Sequence, residues 1–230
     1  MSRLRRLVLS DRYFFVTCNL RRSRRALGEH DFGQLASSLA RMREKHGFAL
    51  TAWVFLPDHW HAILYPRQPL TISALLKALK VSSMIAVNRG RREAGELWQG
   101  RFFDHALRTV KDYLESVEYI HLNPVRRSLV KQPEQWRWSS YREYAGLDGA
   151  EQERQCGLKI DPAARDCLPS RVQGFEAKSR PDPSGRYLAL KDADSKARPA
   201  RRWRYGLRIL GQFVGFEDAA TLIASNLSRF

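Results

Sequence analysis

Apolar positions along the first 145 residues switch between two periods, and the switches mark out the elements. Tyr13 to Leu20 is an aromatic and aliphatic run of the kind that fills a buried strand. From Asp31 to His46, Phe32, Leu35, Leu39 and Met42 recur at helical spacing, with Gly47 placed as a C-cap. Ala49 to Leu56 is apolar, Pro57-Asp58 makes a turn, and a second run reaches Tyr65, which reads as a β-hairpin over 48–65. Thr71, or else Ser73, caps a helix carrying Leu75, Leu76, Leu79, Met84 and Ile85, which fades into Arg89-Gly90-Arg91-Arg92. Phe102 to Leu107 reads as a fourth strand. Leu114, Val117 and Ile120 then set a helix that Pro124 ends or kinks. The order βαββαβ plus one helix predicts an α+β, ferredoxin-like domain whose sheet is mainly antiparallel.

Two of these elements carry chemistry. Side chains alternate faces along a strand, so His59 and His61 point one way and Trp60 the other. Two imidazoles on one rigid strand face offer half of a metal site, although a lone His-x-His is more often two unrelated histidines. On the last helix, Tyr119 and Asn123 are four apart and share a face. A phenol beside an amide oxygen supplies a nucleophile and a hard-cation ligand, whereas a helix tyrosine taken alone is usually a core residue. Imidazole with amide oxygen suits Mg²⁺ or Mn²⁺. Tyr113 lies off the Tyr119 face and reads as packing, and His121 sits too far round the helix to share the site. Glu115, one turn before Tyr119, either orients the phenol or is solvated. His105, at the end of the fourth strand, either supports the site from behind or contacts DNA, although a structural histidine is commoner.

Charge changes the picture next. Forty Lys and Arg against 24 Asp and Glu leave +16, an excess that calls for a polyanion. Nucleic acid fits better than a membrane surface, because no apolar run approaches the length of a span. Three cysteines without zinc spacing, Cys18, Cys156 and Cys167, together with an N-terminus unlike a signal peptide, point to a cytoplasmic protein. The candidate DNA contacts are Arg21, Arg22, Arg24 and Arg25, then Arg89, Arg91 and Arg92, then Arg126 and Arg127, and finally Arg201, Arg202 and Arg204. Trp136 and Trp138, interleaved with arginines, either stack bases or fold back onto the core.

Leu56-Pro57-Asp58-His59-Trp60-His61, Trp98 to His105, Tyr119 to Arg126 and Trp136 to Tyr141 together resemble the Y1 HUH transposases of the IS200/IS605 type, and within them the REP-associated tyrosine transposases. The resemblance covers roughly residues 10 to 145. It implies a ferredoxin-like fold, a divalent metal held by His59, His61 and Asn123, and Tyr119 as the nucleophile. It also implies cleavage and rejoining of single-stranded DNA beside a hairpin through a 5′-phosphotyrosine. A zinc hydrolase using the His-x-His pair and a non-catalytic hairpin-binding protein are the alternatives. Monomer and homodimer are both open.

The chain thus divides into a transposase domain over 1–147, a proline-broken charged linker over 148–200 and a small basic helical tail over 201–230. Leu207 to Val214 and Asp218 to Leu227 read as two short helices around Gly215, either a helix-turn-helix-like appendage or a helical hairpin that packs on the domain, and the basic-aromatic cluster before them is expected to add hairpin affinity. All the motifs precede 148, so residues 1–148 are expected to fold without the rest.

Overall fold

The structure, a computed structural model, describes residues 10–164 together with Phe213–Val214. Seven elements form the domain: β1 (Phe14–Asn19), α1 (Glu29–His46), β2 (Ala49–Leu56), β3 (His59–Tyr65), α2 (Ile72–Arg91), β4 (Phe103–Ala106) and α3 (Val110–Arg126). The sheet runs β2-β3-β1-β4, and every neighbouring pair in it is antiparallel. This is the expected βαββαβ arrangement with a helix after it, of α+β class.

Local chemistry explains the boundaries. The Asp31 carboxylate accepts from the Gly28 backbone at 2.9 Å and closes the start of α1. Gly47 ends that helix at φ 65°, a left-handed position where a side chain would be strained. Thr71 caps α2 by accepting from Ala74 N at 3.2 Å, and Thr109 caps α3 by accepting from Asp112 N at 3.0 Å. Pro124 does not end α3, which runs on to Arg126. The proline falls in the last turn, where it removes one bond of the ladder close to the helix end, and beyond it Arg127 N closes on Asn123 O at 3.0 Å.

Register decides what each sheet face carries. Thr17 lies opposite His61 on one side and Phe103 on the other, and Phe15 lies opposite Ile63 and His105. Those side chains face α3, whose Tyr119 ring meets Phe15 at 5.8 Å. The opposite face carries Val16, Cys18, Trp60, Ala62 and Phe55. It is covered by α1 and α2: Phe32 stacks on Phe55 at 6.3 Å, and Trp98, which meets Trp60 at 6.5 Å, donates its indole N–H to Ser83 of α2 at 2.9 Å. Trp53, Phe55, Leu56, Trp60 and Ile63 are fully buried. A core sandwiched between two helical layers fixes the sheet from both sides.

The open edge at β2 is closed by the chain beyond α3. Phe55 N donates to Trp138 O and Ser140 N to Trp53 O, both at 2.9 Å. Farther on, Asp161 N donates to Leu50 O at 2.8 Å, and Leu50 N donates to the Asp161 carboxylate at 2.9 Å. Unpaired edge groups are thereby satisfied. Between these contacts lie α4 (Tyr141–Tyr144) and α5 (Gly149–Cys156), the latter capped by Asp148, with Cys156, Leu158, Ile160 and Ala163 buried. Residues 148–164, the first part of the expected loose linker, are instead helix, short strand and buried chain. The pattern hid this because α5 is polar and buries Gln152 and Cys156 instead of an aliphatic stripe. A short β5 (Ala163–Ala164) pairs in parallel with β6 (Phe213–Val214), so the last two residues of the helix expected over 207–214 are strand instead. The rest of the expected linker and tail, including Arg201, Arg202, Trp203, Arg204 and Tyr205, lies outside the described residues.

Two outcomes follow from this cover. Each buried aliphatic side chain contributes about 1.5–3 kcal/mol, and each kcal/mol moves the melting point of a chain this size by about 2–4 °C. With Leu158 and Ile160 lost, a protein ending at 148 should melt at least about 6 °C below one ending at 164, or fail to stay soluble; equal melts in a circular-dichroism scan would refute the cover.

Glu143 supplies the second outcome. Burial raises its carboxyl from 4.5 to about 7, against the Ile160 N–H that it accepts. The folded protein therefore keeps a proton that the unfolded chain releases, and stability falls as pH rises from 4.5 toward about 7. Glu143→Gln keeps an acceptor for Ile160 and should flatten that part of the denaturation-versus-pH curve, with its gain largest above pH 7.

Candidate active site

β3 and α3 bring four side chains together. His59 and His61 stand on the α3 face of β3, 6% and 3% exposed, and Asn123 of α3 is 5% exposed. The two histidine Nε2 atoms lie 3.0 Å apart, and Asn123 Nδ2 lies 3.1 Å from His61 Nε2. The Tyr119 ring packs edge-on against His61 at 5.3 Å. Helical spacing puts Tyr119 one turn before Asn123, as the sequence indicated.

Each imidazole is fixed from behind. Asp58 Oδ1 sits 2.6 Å from His59 Nδ1, and Thr17 Oγ1 sits 2.8 Å from His61 Nδ1. A carboxylate only accepts, so His59 carries its proton on Nδ1 toward Asp58. Burial, reinforced by the neighbouring His59, pushes His61 well below the usual imidazole range, which keeps it neutral and able to act as a ligand. The hydrogen bond from His59 lowers the Asp58 carboxyl to about 2, with the Arg127 guanidinium assisting and burial opposing.

The donor set suits a hard divalent cation. Asn123 Oδ1 is buried and has no hydrogen-bond partner among the described residues, and an orphaned amide oxygen next to two converging imidazoles fits such an ion. No group of three His, Cys, Asp or Glu that could hold a metal occurs among the described residues, which leaves a zinc hydrolase without its third ligand there. Cys18 is buried on the opposite sheet face, where desolvation pushes its thiol up to about 12.

The other candidates sort by contact. Tyr113 is 1% exposed, its hydroxyl 3.3 Å from that of Tyr144, and burial pushes its phenol far above the ordinary value. His121 is buried against Ser140 Oγ at 2.7 Å. Glu115 is solvated beside Lys111, and His105 is exposed on β4. Trp138 has folded back: it is 4% exposed and donates to Glu29 at 2.7 Å. Trp136 is partly buried and donates to Phe55 O at 2.9 Å.

Among the arginines, two expected DNA contacts are structural. The Arg91 side chain is 1% exposed and pairs with Asp31 at 2.7 Å, also donating to the Ala26 carbonyl. Arg24 donates to Asn88 and to Ala94 O. Both hold the 21–27 loop against the end of α2 by bridging it to side chains and backbone carbonyls there. Arg21 pairs with Glu96 and Arg25 with Glu93, and Arg127 reaches Asp58. Arg22, Arg89, Arg92 and Arg126 stay exposed, with Arg126 over the Tyr119 ring at 5.6 Å. Sequence reasoning passed over Asp58 and Thr17, although Asp58 directly precedes the histidine pair.

The model of the IS200-like transposases matches residues 8–123, a stretch that ends on Asn123. The REP-associated tyrosine transposase of Escherichia coli (strain K12) is 32% identical over 142 residues, spanning 61% of this chain and 83% of the relative. A solved structure of a REP-associated tyrosine transposase bound to a REP hairpin superposes with a TM-score of 0.55 at 29% identity, covering 78% of this chain and 98% of that one. The chain belongs to the IS200-like transposase family, whose members are DNA-cleaving enzymes that use a tyrosine. Within it, the chain falls with the REP-associated tyrosine transposases. No helix among the described residues is long and apolar enough to cross a membrane.

Proposed function

We propose that this protein cleaves and rejoins single-stranded DNA beside a palindromic hairpin, with Tyr119 as nucleophile and His59, His61 and Asn123 as ligands of Mg²⁺ or Mn²⁺. The observation that carries this reading is the convergence of two imidazoles and an orphaned amide one helical turn from a half-buried tyrosine. The hairpin substrate is suggested by the solved relative bound to a REP hairpin.

The bound cation would polarise the scissile phosphate and offset its charge as the phosphorus gains a fifth ligand. The chain's own residues do the rest. His59 and His61 are locked by Asp58 and Thr17, so the ligand atoms are aimed before substrate arrives. Tyr119 is held by Phe15 and His61 with its ring at a fixed angle to the histidine pair. Its phenolic oxygen forms a bond to phosphorus, the P–O3′ bond breaks, and the phenol's proton ends on the released 3′-oxygen. The phosphodiester energy is retained in the 5′-phosphotyrosine, so the reverse step joins a strand without ATP. The exposed Arg126 stands beside the Tyr119 ring, a position suited to the incoming phosphate.

A labelled hairpin oligonucleotide with a single-stranded flank tests this. Wild-type protein with Mn²⁺ should form a denaturant-resistant adduct, and Tyr119→Phe should abolish it while leaving hairpin binding nearly unchanged. Tyr113→Phe should keep the adduct, since that hydroxyl is buried away from the site. An adduct that survives in Tyr119→Phe would sink the assignment.

The metal is tested separately. EDTA should remove cleavage, and His61→Ala should remove both cleavage and Mn²⁺ binding in a calorimetric titration. Wild-type cleavage that persists at full rate in EDTA would exclude the ion.

A further inference from the structure

We propose that Asp58 and Arg127 form a positioning pair that holds His59 in one tautomer and orientation and straps the β2–β3 turn to the C-terminal end of α3. The proposal rests on the metal-site reading above. Its geometry is independent of that reading.

Asp58 divides its two oxygens between two partners. Oδ1 faces His59 Nδ1 at 2.6 Å, and Oδ2 accepts from Arg127 Nη2 at 2.6 Å. Arg127 is bound at both ends as well: its backbone N–H closes on the Asn123 carbonyl at 3.0 Å, while its guanidinium reaches across to the turn. A continuous chain of contacts therefore runs from Asn123 through Arg127 and Asp58 to His59, joining two candidate ligands on different elements. A cation at the C-terminal end of a helix is also favoured by the exposed carbonyls there.

The two histidines need different support. His61 lies inside the sheet, paired opposite Thr17 of β1, so its neighbour on a rigid strand can fix it. His59 is the first residue of β3; its backbone pairs with Asn19 and Leu56, while its ring is held from the adjoining turn by Asp58. A charged carboxylate anchored by a guanidinium gives the His59 ring the fixity that Thr17 gives the ring of His61. The Arg127 and Asp58 side chains are 35% and 52% exposed, and ion pairs that wet contribute little to global stability. The pair's effect is therefore local, which separates a positioning role from a structural one.

The test uses the full chain with ¹⁵N-labelled histidine. Long-range ¹H–¹⁵N spectra of the metal-free protein report which ring nitrogen of His59 carries the proton, and calorimetry reports Mn²⁺ affinity. Wild type should show Nδ1–H alone. Asp58→Asn and Arg127→Gln should broaden His59 into mixed tautomers and weaken Mn²⁺ by about 10- to 100-fold, the usual effect of losing a ligand's supporting partner. Their melting points should stay near wild type, and Arg127→Lys should recover part of the Mn²⁺ affinity. A single Nδ1–H tautomer and unchanged Mn²⁺ affinity in both variants would overturn the proposal. So would a collapse of the fold in Arg127→Gln, which would make the pair a structural tie. Should wild type itself bind no Mn²⁺, the metal reading fails, and the tautomer comparison still decides the strap.

Discussion

The period-two alternation along β3 is the constraint on which the site depends. Trp60 is driven into the fully buried layer between sheet and α2, and that burial commits its neighbours His59 and His61 to the other face. A slip of one residue against β1 would turn both imidazoles under α2 and force the indole into the polar space beneath α3. The packing lost on both faces by that slip is far larger than any cost of placing two imidazoles together. The core thus sets the aim of the histidines, and the polar partners Asp58 and Thr17 only refine it.

How much of this was legible in the sequence varies with the kind of signal. Periodicity gave the order of elements, the Gly47 and Thr71 caps and the separation of His59 from Trp60, because those follow from local geometry. Shared helical spacing placed Tyr119 beside Asn123 for the same reason. The partners of the histidines were not legible, since Thr17 meets His61 only through strand pairing across 44 positions. Nor was the fate of Trp138, whose indole finds Glu29 of α1 at a separation of 109. Nor was the reach of the domain to Ala163, because α5 packs through a glutamine and a cysteine.

The family motifs divide into chemistry and scaffold once their contacts are known. Trp98 donates to Ser83, and Gln99 bonds the backbone of Asn19 and Leu20. That stretch therefore fastens α2 to the end of β1. Ser140 Oγ accepts from Trp53 N at 3.0 Å and contacts His121 at 2.7 Å, which ties α3 to the edge strand. Tyr144 reinforces the tie by donating to Thr51 O at 2.7 Å. These buried polar groups are each satisfied by a specific partner, and such networks fix one arrangement where an apolar contact would tolerate several. Holding α3 in one position matters because Tyr119 and Asn123 ride on it.

The same logic reassigns the charge. A balance of +16 suggests an evenly basic DNA-binding face, yet Arg91 and Arg24 are spent inside the protein. Arg91 meets Asp31, whose carboxyl, despite burial, is held below the usual range by the hydrogen bonds from Arg91 and Gly28. Breaking such a pair strands an ion in a dry place, so neither arginine is free to move toward phosphate. The exposed Arg22, Arg89 and Arg92 sit on the neighbouring loop and helix end, positioned by the very pairs that remove Arg24 and Arg91 from the surface. Counting cations therefore overstates the charge on the surface, and the internal cations hold the exposed ones in place.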